Sequence, residues 1–122
     1  MFREMYKSKI QKATITHANL ECEGSIGIDA TLMQAADILP GEKVQVLNLD
    51  TGARFETYAI EEETGAGTIC LYGPAAHRGK VGQKIFIISY CLIEDKQLSC
   101  LNSKAVLVDE HNQLKERVKK DD

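Results

Sequence analysis

The peptide bond between Gly24 and Ser25 joins two residue types that can together rearrange their own backbone. The serine hydroxyl is a nucleophile, and glycine on the acyl side has no Cβ to block attack and tolerates strained backbone angles. Attack on the glycine carbonyl gives an ester, and elimination and hydrolysis then leave a pyruvoyl ketone at a new N-terminus. Amines condense with such a ketone as they do with the aldehyde of PLP. The dipeptide is also common in turns, so this interpretation depends on its surroundings.

A second group of reactive residues lies on a predicted strand that begins at Arg54. In this strand Arg54, Glu56 and Tyr58 share one face, whereas Thr57 points to the other. Arginine binds carboxylates through two parallel hydrogen bonds, and tyrosine can act as a general acid. The alternative is an ordinary outward row of side chains, which strand surfaces carry routinely.

Two further features can bind anions. The turn Gly73-Pro74-Ala75 follows a predicted strand and can present backbone N–H groups to an anion, with Pro74 presetting the backbone. Lys9 can supply a second positive charge. A simple turn and a solvated surface lysine are the competing interpretations.

Length and composition limit the classes of protein to which the chain can belong. A chain of 122 residues and 13.5 kDa forms one domain, and its net charge of -3 argues against a nucleic-acid partner. No apolar run reaches the length of a membrane span, and the charged N-terminal segment is unlike a signal peptide. We therefore expect a cytoplasmic protein that does not contact membranes.

The four cysteines and three histidines show no metal-binding spacing. Without a C-x-x-C pair, we expect reduced thiols and no metal site. Cys22 lies close enough to Gly24-Ser25 to be an alternative nucleophile, but no histidine near it in sequence would activate it, and the serine hypothesis ranks above it.

The chain reads as mainly β. Apolar alternation and turn residues predict strands over 12–17, 43–49, 54–60, 68–72, 85–93 and 105–108. Helix is limited to residues 31–38, capped by Asp29, and to a polar C-terminal stretch over 113–120. The segments 40–47 and 81–88 resemble each other, since each places a glycine and a polar residue before a lysine-led strand. Such an internal repeat is typical of a barrel made of two pseudo-symmetric halves.

Several ordered motifs together resemble the aspartate α-decarboxylase family over residues 1–108. They are Thr16-His17-Ala18-Asn19-Leu20, Glu23-Gly24-Ser25, Ile28-Asp29, Asn48, the run 52–58 and Gly73-Pro74-Ala75-Ala76-His77. The resemblance implies a mainly β, double-psi β-barrel with short helices, cleaved into a small chain (1–24) and a larger one (25–122), with a polar tail from about residue 110. It also implies a homotetramer with active sites between subunits.

The resemblance also assigns roles to individual residues. Ser25 becomes the pyruvoyl group, Tyr58 is the proton donor, and Thr57 positions the cleaved region. Substrate would be held by the side chains of Lys9 and Arg54 and by the backbone of Gly73, Pro74 and Ala75. The chain departs from the family pattern at Cys22 (usually tyrosine), Tyr72 (usually asparagine), Pro74 (usually alanine) and Gln11 (often histidine).

The implied reaction converts L-aspartate to β-alanine and CO2, which supplies pantothenate and coenzyme A synthesis. We expect Arg54 to hold the carboxylate that stays, because neutralising the one that leaves would stabilise the ground state more than the transition state. Two other functions remain open. An uncut chain would be a non-enzymatic binding module, and the changes at Tyr72 and Pro74 would suit a pyruvoyl decarboxylase for another amino acid.

Overall fold

The computed structural model describes residues 1–115 and the backbone of residues 119–120. The described chain is mainly β, as predicted, with one α-helix and two 3-10 helices. The strands are β1 (Phe2–Thr14), β2 (His17–Asn19), β3 (Ser25–Asp29), β4 (Lys43–Asn48), β5 (Arg54–Glu62), β6 (Ile69–Tyr72), β7 (Lys84–Glu94), β8 (Lys104–Leu107) and β9 (Lys119–Lys120). The α-helix α1 spans Ala30–Ala36, and the 3-10 helices span Gly73–His77 and Asp95–Cys100.

The strands form one sheet in the order β2-β6-β3-β5-β4-β7-β1-β8-β9. The pairing pattern of the six central strands, β3-β5-β4-β7-β1-β8, is symmetric. At each end the outer strand pairs in parallel with its neighbour, β3 with β5 and β8 with β1, and the three pairs between them are antiparallel. The symmetry lies between β4 and β7, the two strands whose sequences resemble each other. The repeat therefore marks two equivalent halves of the sheet, as the sequence predicts.

The glycine turns that precede β4 and β7 make matching hydrogen bonds. The amide of Gly41 donates to the carbonyl of Ala59 at 2.7 Å, and that of Gly82 donates to the carbonyl of Ile15 at 2.8 Å. Both glycines have positive φ, at 87° and 94°, a backbone conformation that only glycine adopts without steric cost. This requirement explains why glycine occurs at both corners.

The core follows from alternation along the central strands. Val44 and Val46 on β4 and Ile85 and Ile87 on β7 point inward and are fully buried or nearly so, whereas their neighbours in sequence are partly exposed. Burying a side chain of this size contributes about 1.5–3 kcal/mol. Further buried aliphatic side chains come from Ile10, Ile15, Ile26, Ile28, Leu32, Ile69 and Leu71.

Asp29 fixes the carboxyl end of β3. Its carboxylate is buried and accepts hydrogen bonds from the backbone amides of Thr31, Gly65 and Gly67. Burial alone would raise the pKa of Asp29, but these three hydrogen bonds outweigh it and hold the pKa below its usual value. The group thus contributes stability at neutral pH that is lost as the pH falls through the folded-state pKa. The predicted N-cap role of Asp29 is confirmed.

Two segments differ from the sequence-based predictions. The first strand is longer than predicted and ends earlier, at Thr14, because it pairs with β7 along its whole length, with register shifts between Tyr6 and Ser8 and between Ile10 and Ala13. The C-terminal helix predicted over 113–120 is wrong for the residues described, since Leu114 forms a bridge to Val108 and 119–120 pair with β8. Residues 116–118 of that stretch lie outside the described part.

The first residues of the predicted polar tail are held against the sheet by hydrogen bonds. Asn112 is 1% exposed, and its side-chain amide donates to the carbonyls of Thr14 and Gly67 while its oxygen accepts from the Thr14 amide. Across the described residues, we find no helix with the length and apolar character needed to cross a membrane.

Candidate active site

Ser25 is the first residue of β3 and lies between two tyrosine-bearing strands. It pairs directly with Tyr72 of the antiparallel strand β6. On the other side, Ile26 pairs with Ala59 of β5, so Ser25 and Tyr58 each lie one residue before that pair. Because side chains alternate, Ser25, Tyr58 and Tyr72 share the sheet face opposite the buried Ile26 and Ala59. Ser25 is nevertheless only 5% exposed.

The residues before Ser25 pack closely on the turn after β6. Gly24 has a φ of +129°, and a Cβ built there would lie 3.3 Å from the Pro74 ring. Gly73 lies even closer to this segment, since a Cβ at Gly73 would be 2.3 Å from the Cys22 carbonyl oxygen and 2.7 Å from the Gly24 nitrogen. A glycine at 73 therefore lets the chain approach the Gly24-Ser25 bond.

Replacing Gly73 with alanine is expected to displace residues 22–24 and lower the free energy of unfolding by about 2–4 kcal/mol, since strained backbone and steric overlap add. The matched control is Gly52→Ala. Gly52 also has positive φ (+78°) but open space around it, so only the backbone cost of about 1–2 kcal/mol is expected. Both are measured by urea denaturation in a Ser25→Ala chain. Equal losses at the two positions would contradict the close packing of Gly73.

A cavity of about 290 Å³ adjoins the Gly24-Ser25 bond. Four residues singled out in the sequence line it, namely Gly24, Thr57, Pro74 and Ala75, together with Phe55, Glu56 and Arg78. The structure thus brings together the cleavage segment, the middle of β5 and the Gly73–His77 turn. The cavity holds one carboxylate and one guanidinium among its lining groups.

Arg54 lies beside this cavity rather than in it. It lines a second cavity of about 340 Å³ that also includes Lys43 and Glu56. Glu56 borders both cavities and forms an exposed ion pair with Lys43 at 3.3 Å. Tyr58, 43% exposed, lies on the same face of β5 as Arg54, as the alternation predicts.

Lys9 is a predicted site residue that does not lie near Ser25 in the strand order of a single chain. It lies on β1, and the three strands β5, β4 and β7 separate β1 from β3 in the sheet. Its ammonium group is 5.5 Å from the centre of the Tyr6 ring. Within a single chain, Lys9 and Ser25 therefore belong to different regions of the sheet.

Three of the four departures from the family pattern lie in or against the segment 22–25. The Tyr72 hydroxyl donates to a Glu62 carboxylate oxygen at 2.7 Å, and this hydrogen bond is the main cause that raises the pKa of Tyr72. Pro74 packs against Gly24. Cys22 is an exposed free thiol, whereas burial raises the pKa of the free thiol of Cys70.

Sequence reasoning missed Glu62, Gly27 and Arg78. Arg78 ends the 3-10 turn, with its amide bonded to the Ala75 carbonyl, and the basic residue directly after the quoted motif was the available signal. Glu62 and Gly27 meet only through the parallel pairing of β3 with β5, and nothing local in the sequence reveals that contact.

The fold and site together define a small, mainly β protein with a buried serine next to a positive-φ glycine at the edge of a cavity. A family model described as aspartate decarboxylase matches residues 1–115. The chain is 55% identical over 112 residues to an aspartate 1-decarboxylase of Thermoanaerobacter pseudethanolicus, covering 92% of this chain and 96% of that protein. It is 51% identical to the enzyme of the same name from Caldicellulosiruptor saccharolyticus over 93% of this chain and 89% of that one. The corresponding protein of Listeria monocytogenes is 46% identical, with 93% and 90% coverage.

The chain belongs to the aspartate decarboxylase family. The resemblance stated from the sequence is confirmed, and the fold is the family's double-psi β-barrel.

Proposed function

We propose that this chain is a lyase that cuts itself between Gly24 and Ser25 and then decarboxylates L-aspartate at its α-carbon to β-alanine and CO2. Supply of β-alanine for pantothenate and coenzyme A synthesis is the metabolic role that follows. The observation on which the proposal rests is the placement of a buried Ser25 directly after the positive-φ Gly24, which lines a cavity together with Thr57. The relatives named aspartate 1-decarboxylase support the choice of substrate.

Self-cleavage uses only the chain and one water molecule. The Ser25 Oγ forms a bond to the Gly24 carbonyl carbon, the Gly24–Ser25 C–N bond breaks, and the nitrogen takes the hydroxyl proton. Loss of the Ser25 α-proton then breaks the Cβ–O bond and releases Gly24 as a carboxylate. Water replaces the nitrogen of the resulting dehydroalanine, and ammonia leaves. Gly24 has a φ of +129°, which glycine adopts without steric cost and a residue with a Cβ does not, so glycine at this position permits the backbone geometry of the first step.

The residues around Ser25 fit a pyruvoyl group at that position. Ser25 begins a strand, so the new N-terminus would stay paired with Tyr72 on β6. When present, the ketone supplies an electron sink for the pair of electrons that decarboxylation leaves on the α-carbon.

The chain's own side chains would do the remaining work. Tyr58, on the same face as Ser25, donates the proton that the α-carbon needs. Arg54 binds the carboxylate that stays, Thr57 holds the cleaved segment, and the Gly73–Ala75 backbone contacts substrate.

We further propose that the active enzyme is a homotetramer in which a second subunit completes each site. Lys9 supports this arrangement, because within one chain three strands of the sheet lie between the strand of Lys9 and the strand of Ser25. Large apolar side chains also lie exposed on the paired ends of β1 and β7, with Phe2 68% and Leu92 72% accessible. Contacts between subunits would cover such surface. The cytoplasmic location stays a prediction.

The test is to incubate the purified chain with L-aspartate and quantify β-alanine and CO2 in equal amounts. Prior treatment with borohydride should abolish the activity, because reduction removes the ketone. A cleaved chain that produces no β-alanine but decarboxylates another amino acid would identify a different substrate. A chain that stays uncut and inactive would be a binding module.

Arg54 is expected to set the choice among amino acids. If its guanidinium holds the retained carboxylate, kcat/KM for aspartate should exceed that for alanine and asparagine by about 10- to 100-fold, the usual value of hydrogen bonds between charged groups. Among the poor substrates, glutamate should have the highest kcat/KM. Its extra methylene displaces the side-chain carboxylate, but the negative charge that Arg54 binds is still present.

Arg54→Ala should narrow the gap in kcat/KM between aspartate and alanine. The measurement is the set of kcat/KM values for the four amino acids on fully cleaved enzyme. Similar values for aspartate and alanine in the unaltered enzyme would remove Arg54 from this role.

A further inference from the structure

We propose that Tyr72 and Glu62 form a positioning pair for self-cleavage, in which the anchored Tyr72 ring confines the Ser25 hydroxyl to the side of the Gly24 carbonyl. The inference rests on the proposed self-processing function and extends it to two residues outside the motifs of the sequence. Neither residue takes part in bond making; both act through the conformation of Ser25.

The Tyr72–Glu62 pair depends on the space that Gly27 leaves beside β3. A Cβ built at Gly27 would lie 2.0 Å from a Glu62 carboxylate oxygen and 2.8 Å from its carboxyl carbon. The Glu62 carboxyl group therefore occupies the space that any other residue at position 27 would fill. Gly27 lies two residues after Ser25 on the same face of the strand, so this carboxylate is held next to the cleavage site.

Glu62 in turn fixes Tyr72. The Tyr72 hydroxyl donates to the Glu62 carboxylate at 2.7 Å, in a part-buried position. The tyrosine hydroxyl is protonated at neutral pH even at its ordinary pKa, and this hydrogen bond and burial raise the pKa of Tyr72 further. A charge-assisted hydrogen bond of this kind holds the ring more firmly than a neutral one would.

The direction of the ring explains how it acts on Ser25. Tyr72 is the cross-strand partner of Ser25, with Cβ atoms about 4.5–5.5 Å apart in such pairs. Its hydroxyl ends beside Gly27, so the ring leans over the carboxyl-terminal side of Ser25. A serine has three staggered χ1 positions, and the ring obstructs those directed toward Gly27. The position directed toward Gly24, from which attack occurs, stays open.

The test measures processing rates by pulse-labelled translation in a cell-free system, followed by a chase and separation of cut from uncut chains. Glu62→Ala and Tyr72→Phe are each expected to slow cleavage about 10-fold, the equivalent of one lost hydrogen bond. The double variant should be no slower than either single one, since both remove the same restraint. Glu62→Gln keeps an acceptor for the Tyr72 hydroxyl and should cleave within about twofold of the unaltered chain.

Tyr90→Phe is the matched control. The Tyr90 hydroxyl also donates to a side-chain oxygen at 2.7 Å, that of Gln45, but on β7. It should lose less thermal stability than Tyr72→Phe, because its hydrogen bond is exposed and neutral, and it should cleave at the unaltered rate. Unaltered cleavage in Glu62→Ala and Tyr72→Phe, cleavage in Glu62→Gln as slow as in Glu62→Ala, or equal slowing in Tyr90→Phe would each overturn the positioning role. An unaltered chain that never cleaves would instead overturn the proposed function itself, and the positioning role with it.

Discussion

The Ser25→Ala chain is expected to stay whole at about 13.5 kDa, whereas the unaltered chain should separate into pieces of roughly 2.7 and 10.8 kDa, a 24:98 division of its residues. Alanine has no hydroxyl to attack the Gly24 carbonyl, so no ester forms and no ketone follows. Decarboxylation should be lost with cleavage. Intact mass spectrometry measures the pieces, and the larger one should gain mass with a hydrazine and resist Edman degradation.

Ser103→Ala is the control for loss of a serine hydroxyl. Its hydroxyl donates to the Tyr6 carbonyl, away from the cleavage segment, so this chain should cleave normally. Cleavage of the Ser25→Ala chain at the same bond would assign the attack to another nucleophile, with Cys22 the nearest candidate in sequence. A stable, uncut and ketone-free unaltered chain after prolonged warming would contradict the pyruvoyl hypothesis altogether.

Local signals predicted those elements whose structure is decided locally. Helix α1 follows from Asp29 as its cap and from apolar spacing, and both are visible within a dozen residues. Strand β3 gave no such signal. Its alternation is short, with only Ile26 and Ile28 apolar among five residues, and its Gly27 lowers β-propensity. Its place between β5 and β6 is decided by pairing with residues more than 30 positions away.

The candidate site likewise combines residues that local motifs predict with a contact that only strand pairing creates. Gly24, Thr57, Pro74 and Ala75 meet at one cavity, and each belongs to a motif that the sequence displays. The contact between Glu62 and Gly27 depends on strand register, which a single sequence does not specify. At the C-terminus, the polar composition of 109–115 concealed the buried amide of Asn112, because one side chain with three hydrogen bonds leaves no periodic pattern.

Removing the Tyr58 hydroxyl is expected to lower turnover on aspartate by about 10²–10⁴-fold, the usual range for loss of a general acid. Tyr58→Phe keeps the ring and its packing on β5, and self-cleavage should remain largely intact because Ser25 supplies its own nucleophile. The fall should appear in kcat with little change in KM, since protonation of the α-carbon takes place only after substrate is bound.

Two measurements make this role of Tyr58 decisive. Intact mass must first show that the Tyr58→Phe chain is fully cleaved, so that a loss of rate reports decarboxylation and not processing. The second measurement is KM for aspartate on the same cleaved chain, which should stay near the unaltered value if Tyr58 acts only as the proton donor. A cleaved Tyr58→Phe enzyme that turns over at the unaltered rate would show that water or another side chain delivers the proton. In that case the exposed position of Tyr58 beside Ser25 would serve to hold substrate, and its loss would raise KM instead.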